Sequence, residues 1–190
     1  KTVWQLLKEL KIELGKDDDA QLIFESLNST GLALTEADKI RNYILMSLTP
    51  EEQQVCFNDY WQKIEYKTEN QPTRFLRDYL TIKRQLQRPV RESNIYSEWK
   101  KYMEGRERKT ELVEMLEYAG YYQQITEAKL STPKLSEKMR HICNIETDVA
   151  NVFFIQFLKY VSTHKLPEEE VYKVIDLVEN YLVRRIVCNM

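Results

Sequence analysis

Glycine and proline are scarce, four and five in 190 residues. A sandwich or barrel needs turn residues every ~8–12 positions, so that supply argues against an all-β domain and favours long helices. Long apolar runs are missing as well. The longest, around Val152–Leu158, is interrupted by Gln156 and falls well short of the ~18 residues of a membrane span. Nor does one sign of charge dominate. Twenty-eight basic residues face thirty acidic ones, a formal net charge of −2, so no global field draws the chain to nucleic acid or an anionic membrane, and such binding would have to come from a local patch. The chain opens on Lys1 with no signal-peptide pattern, which leads us to expect a segment from inside a longer protein.

Chemistry-bearing patterns are equally thin. The two histidines, His141 and His164, have no recognisable partners. His141 stands two residues from Cys143, a spacing that on a helix points the side chains about 200° apart, where a catalytic pair or a metal needs converging atoms. Cys56, Cys143 and Cys188 are odd in number and far apart, neither a C-x-x-C pair nor a disulfide framework. They read as buried thiols in a reducing compartment, which predicts a cytoplasmic protein. Four isolated glycines cannot build a phosphate loop. Asp17-Asp18-Asp19 would suit either a magnesium site or, more commonly, a helix start, and Glu168-Glu169-Glu170 has the same helix-start explanation. No catalytic residue, metal ligand or cofactor is therefore expected in this chain.

What is present is a globular mixture, 43% hydrophobic and 31% charged, patterned for helices. Thr2 to Leu14 is ambiguous between helix and short strand, since Leu10, Ile12 and Leu14 alternate with Lys11 and Glu13. Asp17-Asp18-Asp19 opens a helix that ends at Asn28-Ser29-Thr30-Gly31. Thr35-Glu36-Ala37-Asp38 and Thr49-Pro50-Glu51-Glu52 have the form of capping boxes and open two more. Further helices start near Pro72, Ile95 and Leu112, the one from Ile95 stopping near Gly105. Others follow the break at Ser131-Thr132-Pro133, at Val149 and at Leu166-Pro167. Val149–Val161, apolar on several sides, is expected to be the central buried helix. The prediction is an all-α bundle of roughly nine helices over 15–190, preceded by 1–14 as the remnant of an upstream region.

The basic residues are the most suggestive. Arg74, Arg77, Lys83, Arg84, Arg88 and Arg91 stand against a lone Asp78, with Phe75 and Tyr79 among them. Such a stretch either follows a nucleic-acid backbone or forms a solvated helix face paired with acidic neighbours. Arg184 and Arg185 form a smaller pair. The twelve tyrosines fall mostly in line with apolar positions, as core-edge residues with a polar tip; base stacking by Tyr121 and Tyr122 is the sharper alternative.

One segment carries a resemblance. Ile23-Phe24-Glu25-Ser26-Leu27-Asn28-Ser29-Thr30-Gly31, then Leu34-Thr35, then Asp38-Lys39-Ile40-Arg41-Asn42, resembles the later part of the N-terminal domain of the GmrSD-type restriction endonuclease family. Arg41 stands where lysine is usual and keeps the charge. Glu179-Asn180-Tyr181-Leu182-Val183-Arg184-Arg185-Ile186-Val187-Cys188 is similar to a helix near the end of that family's helical region, and Phe75-Leu76-Arg77-Asp78-Tyr79-Leu80 and Tyr96 fit more loosely. Family members carry an upstream Asp-Gly-Gln-Gln-Arg motif linked to nucleotide hydrolysis, and many continue into an HNH-type nuclease. This sequence contains neither.

The resemblance implies the helical region of a prokaryotic defence protein acting on foreign DNA, linking an NTP-binding region to a nuclease. The parent would be an NTP-dependent endonuclease using an NTP and a divalent metal, with its own flanking domains and DNA as partners and no membrane. The segment's residues admit two roles. Asn28, Gly31, Asp38, Arg41 and Asn42 either form a structural corner, with Asp38 closing the capping box, or reach the parent's nucleotide pocket, Arg41 as a phosphate contact. The reading from another class is a helical protein-interaction scaffold with no nucleic-acid contact, marked by an exposed apolar surface. An independent enzyme would need a convergent polar pocket built from this chain alone.

Overall fold

The computed structural model describes residues 34–46, 48–145 and 150–188. The chain divides into two units after Leu34, and the account that follows concerns the second, which starts at Thr35. The ambiguous segment 1–14, the Asp17-Asp18-Asp19 helix start, and Asn28 and Gly31 lie outside the described residues.

Among the described residues there are eight helices and no strand. They are α1 (Glu36–Leu45), α2 (50–67), α3 (Pro72–Lys83), α4 (Ile95–Met103), α5 (Arg108–Thr126), α6 (Pro133–Cys143), α7 (Asn151–His164) and α8 (Glu168–Val187). They correspond to the predicted helices from Thr35 onward. Both capping boxes form: the Thr35 hydroxyl accepts from the Asp38 N–H while Asp38 accepts from the Thr35 N–H, and Thr49 and Glu52 repeat the exchange. Pro50, Pro72 and Pro133 sit in the first turns of their helices, where a missing N–H costs no hydrogen bond. Gly105, at φ 73°, ends α4 in the left-handed region. No helix among the described residues is long and apolar enough to cross a membrane.

Helix α2 is not uniform. Its α-helical start, Pro50–Cys56, gives way to a π turn over Phe57–Trp61 before α-helix resumes at Gln62–Lys67. The wider turn lets residues five apart share a face. Cys56 and Trp61 are therefore both buried, followed by Ile64 at α-helical spacing.

The centre of the unit is α3, which packs against α1, α4, α5 and α7. Seven of its twelve residues are buried, Phe75, Leu76, Asp78, Tyr79, Leu80, Thr81 and Ile82. The sequence had placed the centre on Val149–Val161 instead. Helix α7 does bury Phe154, Ile155 and Leu158, but Phe153 and Tyr160 are about half exposed. Its extra apolar residues line a surface, whereas the charged residues of α3 are accommodated at its ends and by partners.

Around α3 runs an aromatic core. Tyr79 meets Tyr118 edge-on with ring centroids 5.2 Å apart, Phe75 meets Tyr122 at 5.6 Å, and Trp99 bridges Tyr79 and Tyr102. Edge-to-face and tilted contacts of this kind add stability beyond the area they bury. The thiols divide. Cys56 is buried, Cys143 half-buried with its thiol on the Ile125 carbonyl, and Cys188, expected to be buried, is exposed at the end of α8.

Candidate functional site

The predicted basic stretch begins on the most buried helix of the unit. Arg77 Nε donates to Asp78 Oδ1 at 3.0 Å, and that carboxylate is 1% exposed. Lys83 Nζ lies 2.6 Å from Glu114 of α5, and Arg84 pairs with Glu98 of α4. These three cations therefore join α3 to itself and to its neighbours. Arg74 is exposed in the first turn of α3. Arg88 and Arg91 are exposed on the loop after α3, and among the described residues neither has an ion pair. The six residues do not form one continuous stripe.

That loop borders a cleft of about 970 Å³ between α3, α5 and α7. Thr81, Ile82 and Lys83 form one wall, Gln85, Leu86, Gln87 and Pro89 the rim, and Tyr118, Val152, Phe153, Gln156 and Lys159 the opposite side. Two lysines bracket Glu114 there: Lys83 at 2.6 Å from one carboxylate oxygen and Lys159 at 3.4 Å from the other. The Lys159 ammonium also sits 4.4 Å from the centroid of the Tyr118 ring and 3.8 Å from Glu117. Burial alone would raise the Glu114 carboxyl, but the two ammonium groups outweigh it and hold the group below the usual carboxylate range. Burial likewise disfavours charged Lys159, and Tyr118, Glu117 and Glu114 reverse that effect, so its pKa rises. Beside this pair Phe153 presents its ring to solvent and stacks on Phe157, with centroids 5.7 Å apart and planes 9° from parallel.

Lys159, Phe153, Tyr118 and Gln156 were not singled out by the sequence. Their signal was a lysine within the most apolar segment and an aromatic pair at i, i+4 beside it.

Glu111 was missed too. It is 4% exposed, and its Oε1 accepts from the Tyr79 hydroxyl at 2.5 Å and from the Tyr102 hydroxyl at 2.8 Å. Glu111 stands in helical phase with buried Met115, Tyr118, Tyr122 and Ile125, a position where an acid needs partners. Burial, together with the neighbouring Glu111, raises both phenols well above their ordinary value. With its donors supplied by the core and no opening to the cleft lining, this triad is a structural network.

Of the segment that carried the resemblance, Asp38, Arg41 and Asn42 are described, three and four residues apart on one side of α1. Asp38 closes the capping box and accepts from Arg41 at 3.0 Å, while the other Arg41 nitrogen reaches Glu65 at 3.3 Å. Glu65 also accepts from the Trp61 indole at 2.7 Å. Arg41 thus ties α1 to the end of α2. Glu36 adds a second tie, accepting from the Tyr96 N–H at the start of α4 at 2.8 Å. Asn42 is half-buried.

Tyr122 is buried against Phe75, and Tyr121 is half-buried with its hydroxyl on Glu117 and Ser162. His141 is exposed beside Glu179, and His164 stacks on Tyr160 at 3.9 Å. Arg184 and Arg185 are exposed near the end of α8. Among the described residues no group of three or more His, Cys, Asp or Glu side chains converges as a metal site. Comparison of the chain with protein families, with curated proteins and with solved structures found no match.

Proposed function

We propose that this chain is the non-catalytic helical region of a prokaryotic, restriction-endonuclease-like defence protein acting on foreign DNA, and that it touches DNA at the rim of the cleft between α3 and α7. The family part of the reading rests on the resemblance of the segment through Asn42. The DNA part rests on one observation: an exposed, stacked Phe153 in a cleft that also holds Lys83 and Lys159, beside a loop carrying Arg88 and Arg91, which have no ion pair among the described residues. An aromatic face next to exposed cations is the combination that holds single strands, the ring stacking on a base and the cations meeting phosphates. The internal pairing of Arg77, Lys83 and Arg84 favours a fixed scaffold that presents this rim over a long basic arm. On this reading the NTP and the divalent metal belong to the parent protein's other regions.

Fluorescence anisotropy with short single- and double-stranded DNA at several salt concentrations tests it. The variants of choice are Arg88→Ala/Arg91→Ala and Phe153→Ala, since truncating Arg77 or Arg84 would disturb the fold as well. Losing two phosphate contacts is expected to lower the steepness of log K against log salt by ~1.4–1.8. Phe153→Ala is expected to weaken single-strand binding by ~1–3 kcal/mol with the slope unchanged. No binding at low salt would overturn the DNA contact and leave the second reading, a protein-interaction scaffold. That reading has its own observation in the exposed apolar residues of α8, Leu177, Tyr181, Ile186 and Val187.

A further inference from the structure

Helix α8 packs by one side only. Val171, Ile175 and Leu182 are buried, and the contacts of the helix are mainly with α6. Successive residues of a helix turn by about 100°, so Leu177 stands about 120–160° away from those three. It is 69% exposed. Along the same outer line lie Glu170, Lys173, Tyr181 and Arg184, all exposed. Among the described residues Glu170, Lys173, Tyr181 and Arg184 have no side-chain hydrogen bond, ion pair or ring contact. The spacing 170, 173, 177, 181, 184 follows the three-and-four rhythm by which one helix lies along another.

The stripe is complementary to itself when reversed. In an antiparallel pair centred on Leu177, each residue n positions after it faces the partner's residue n positions before it. Arg184, seven after, meets Glu170, seven before; Tyr181, four after, meets Lys173, four before. Each contact occurs twice by the two-fold symmetry, giving two ion pairs and two cation–π contacts around a central Leu177–Leu177 contact. A parallel pair would set Glu170 on Glu170, Lys173 on Lys173 and Arg184 on Arg184, like charge on like throughout.

We infer that α8 is a self-association helix, and that two copies of this chain pair through it in antiparallel register about Leu177. The occupant of the exposed face is a second copy because the charge order of the stripe matches its own reversal. The twenty residues of α8 span about 30 Å, which places a helix-on-helix contact in the small interface class, and the dimer is correspondingly weak and salt-sensitive.

Sedimentation velocity on the 190-residue chain, over a concentration series reaching about 500 μM and at low and high salt, reads this directly. Dimerisation is expected at the upper end. Leu177→Glu sets two carboxylates across the axis and is expected to abolish it; because Leu177 is exposed, the fold, checked by circular dichroism, should be unchanged. Glu170→Arg and Arg184→Glu are each expected to weaken dimerisation about five- to tenfold, and the double charge swap to restore it. Restoration by the swap is specific to the antiparallel register. In a Cys188→Ser background, Leu177→Cys is expected to form a disulfide-linked dimer under mild oxidation. A chain that stays monomeric across the series overturns the inference, as does association that Leu177→Glu leaves intact or a double swap that fails to rescue.

Discussion

Glu111 shows how a single acid can be fixed in a core of aromatic rings. Its Oε1 accepts hydrogen bonds from hydroxyls of α3 and α4 at once, so one carboxyl group joins three helices. Truncation removes the acceptor these hydroxyls share. Glu111→Ala is expected to cost about 2–4 kcal/mol, because two buried donors lose their partner, while Tyr79→Phe costs about 1 kcal/mol. Urea denaturation of both variants tests this: a Glu111→Ala cost no larger than that of Tyr79→Phe would rule out the shared acceptor. The two phenols also set an alkaline limit. Their folded pKa values lie above the unfolded value of about 10, so their contribution is fully present below that pH. It is lost as pH rises through the folded values, and stability should fall above about pH 10, less steeply in Tyr79→Phe.

At the scale of elements, α1 and α2 are specified by their own first four residues. Thr35→Ala and Thr49→Ala are each expected to lower stability by about 1 kcal/mol in thermal or urea melts, since each opens a reciprocal cap, and the serine variants should recover most of it. These caps, the first-turn prolines and the Gly105 stop are local chemistry, and for that reason they could be read from the sequence. The role of α7 could not. Val149–Val161 is more apolar than α3, yet it is α3 that four helices surround, because centrality is decided by which faces find partners. Arg77 and Lys83 looked like solvent-facing cations for the same reason: Asp78 is adjacent in sequence but Glu114 is thirty-one residues away, and only folding brings it to Lys83. The cleft draws its lining from α3, the loop after it, α5 and α7, so the local mark that Phe153 and Lys159 carry, an aromatic pair and a lysine in an apolar segment, did not show what they would face.

Across the unit as a whole, cohesion is uneven. The α3 neighbourhood has aromatic packing and buried polar ties. Helix α8, in contrast, depends chiefly on α6, with Lys138 bridging to Asp176 and Glu179 of α8. That lysine is held charged by both carboxylates, its pKa raised. Lys138→Ala is expected to speed amide hydrogen exchange in α8 several-fold while leaving α3 unchanged, as in a fold that opens by parts. Equal acceleration in α3 would mean that the two halves open together.

The π turn in α2 carries a consequence for insertions and deletions. Cys56 and Trp61 share a face across five residues only because the wider turn absorbs one more residue than an ordinary turn holds. Loss of one residue between them would leave four, the α-helical spacing, and both side chains would keep their orientation. Gain of one residue would set them six apart, about 120° from a common face in an ordinary helix, and would rotate Ile64 and the rest of the helix off the core. Between 57 and 61, then, the chain can become shorter by a residue but not longer.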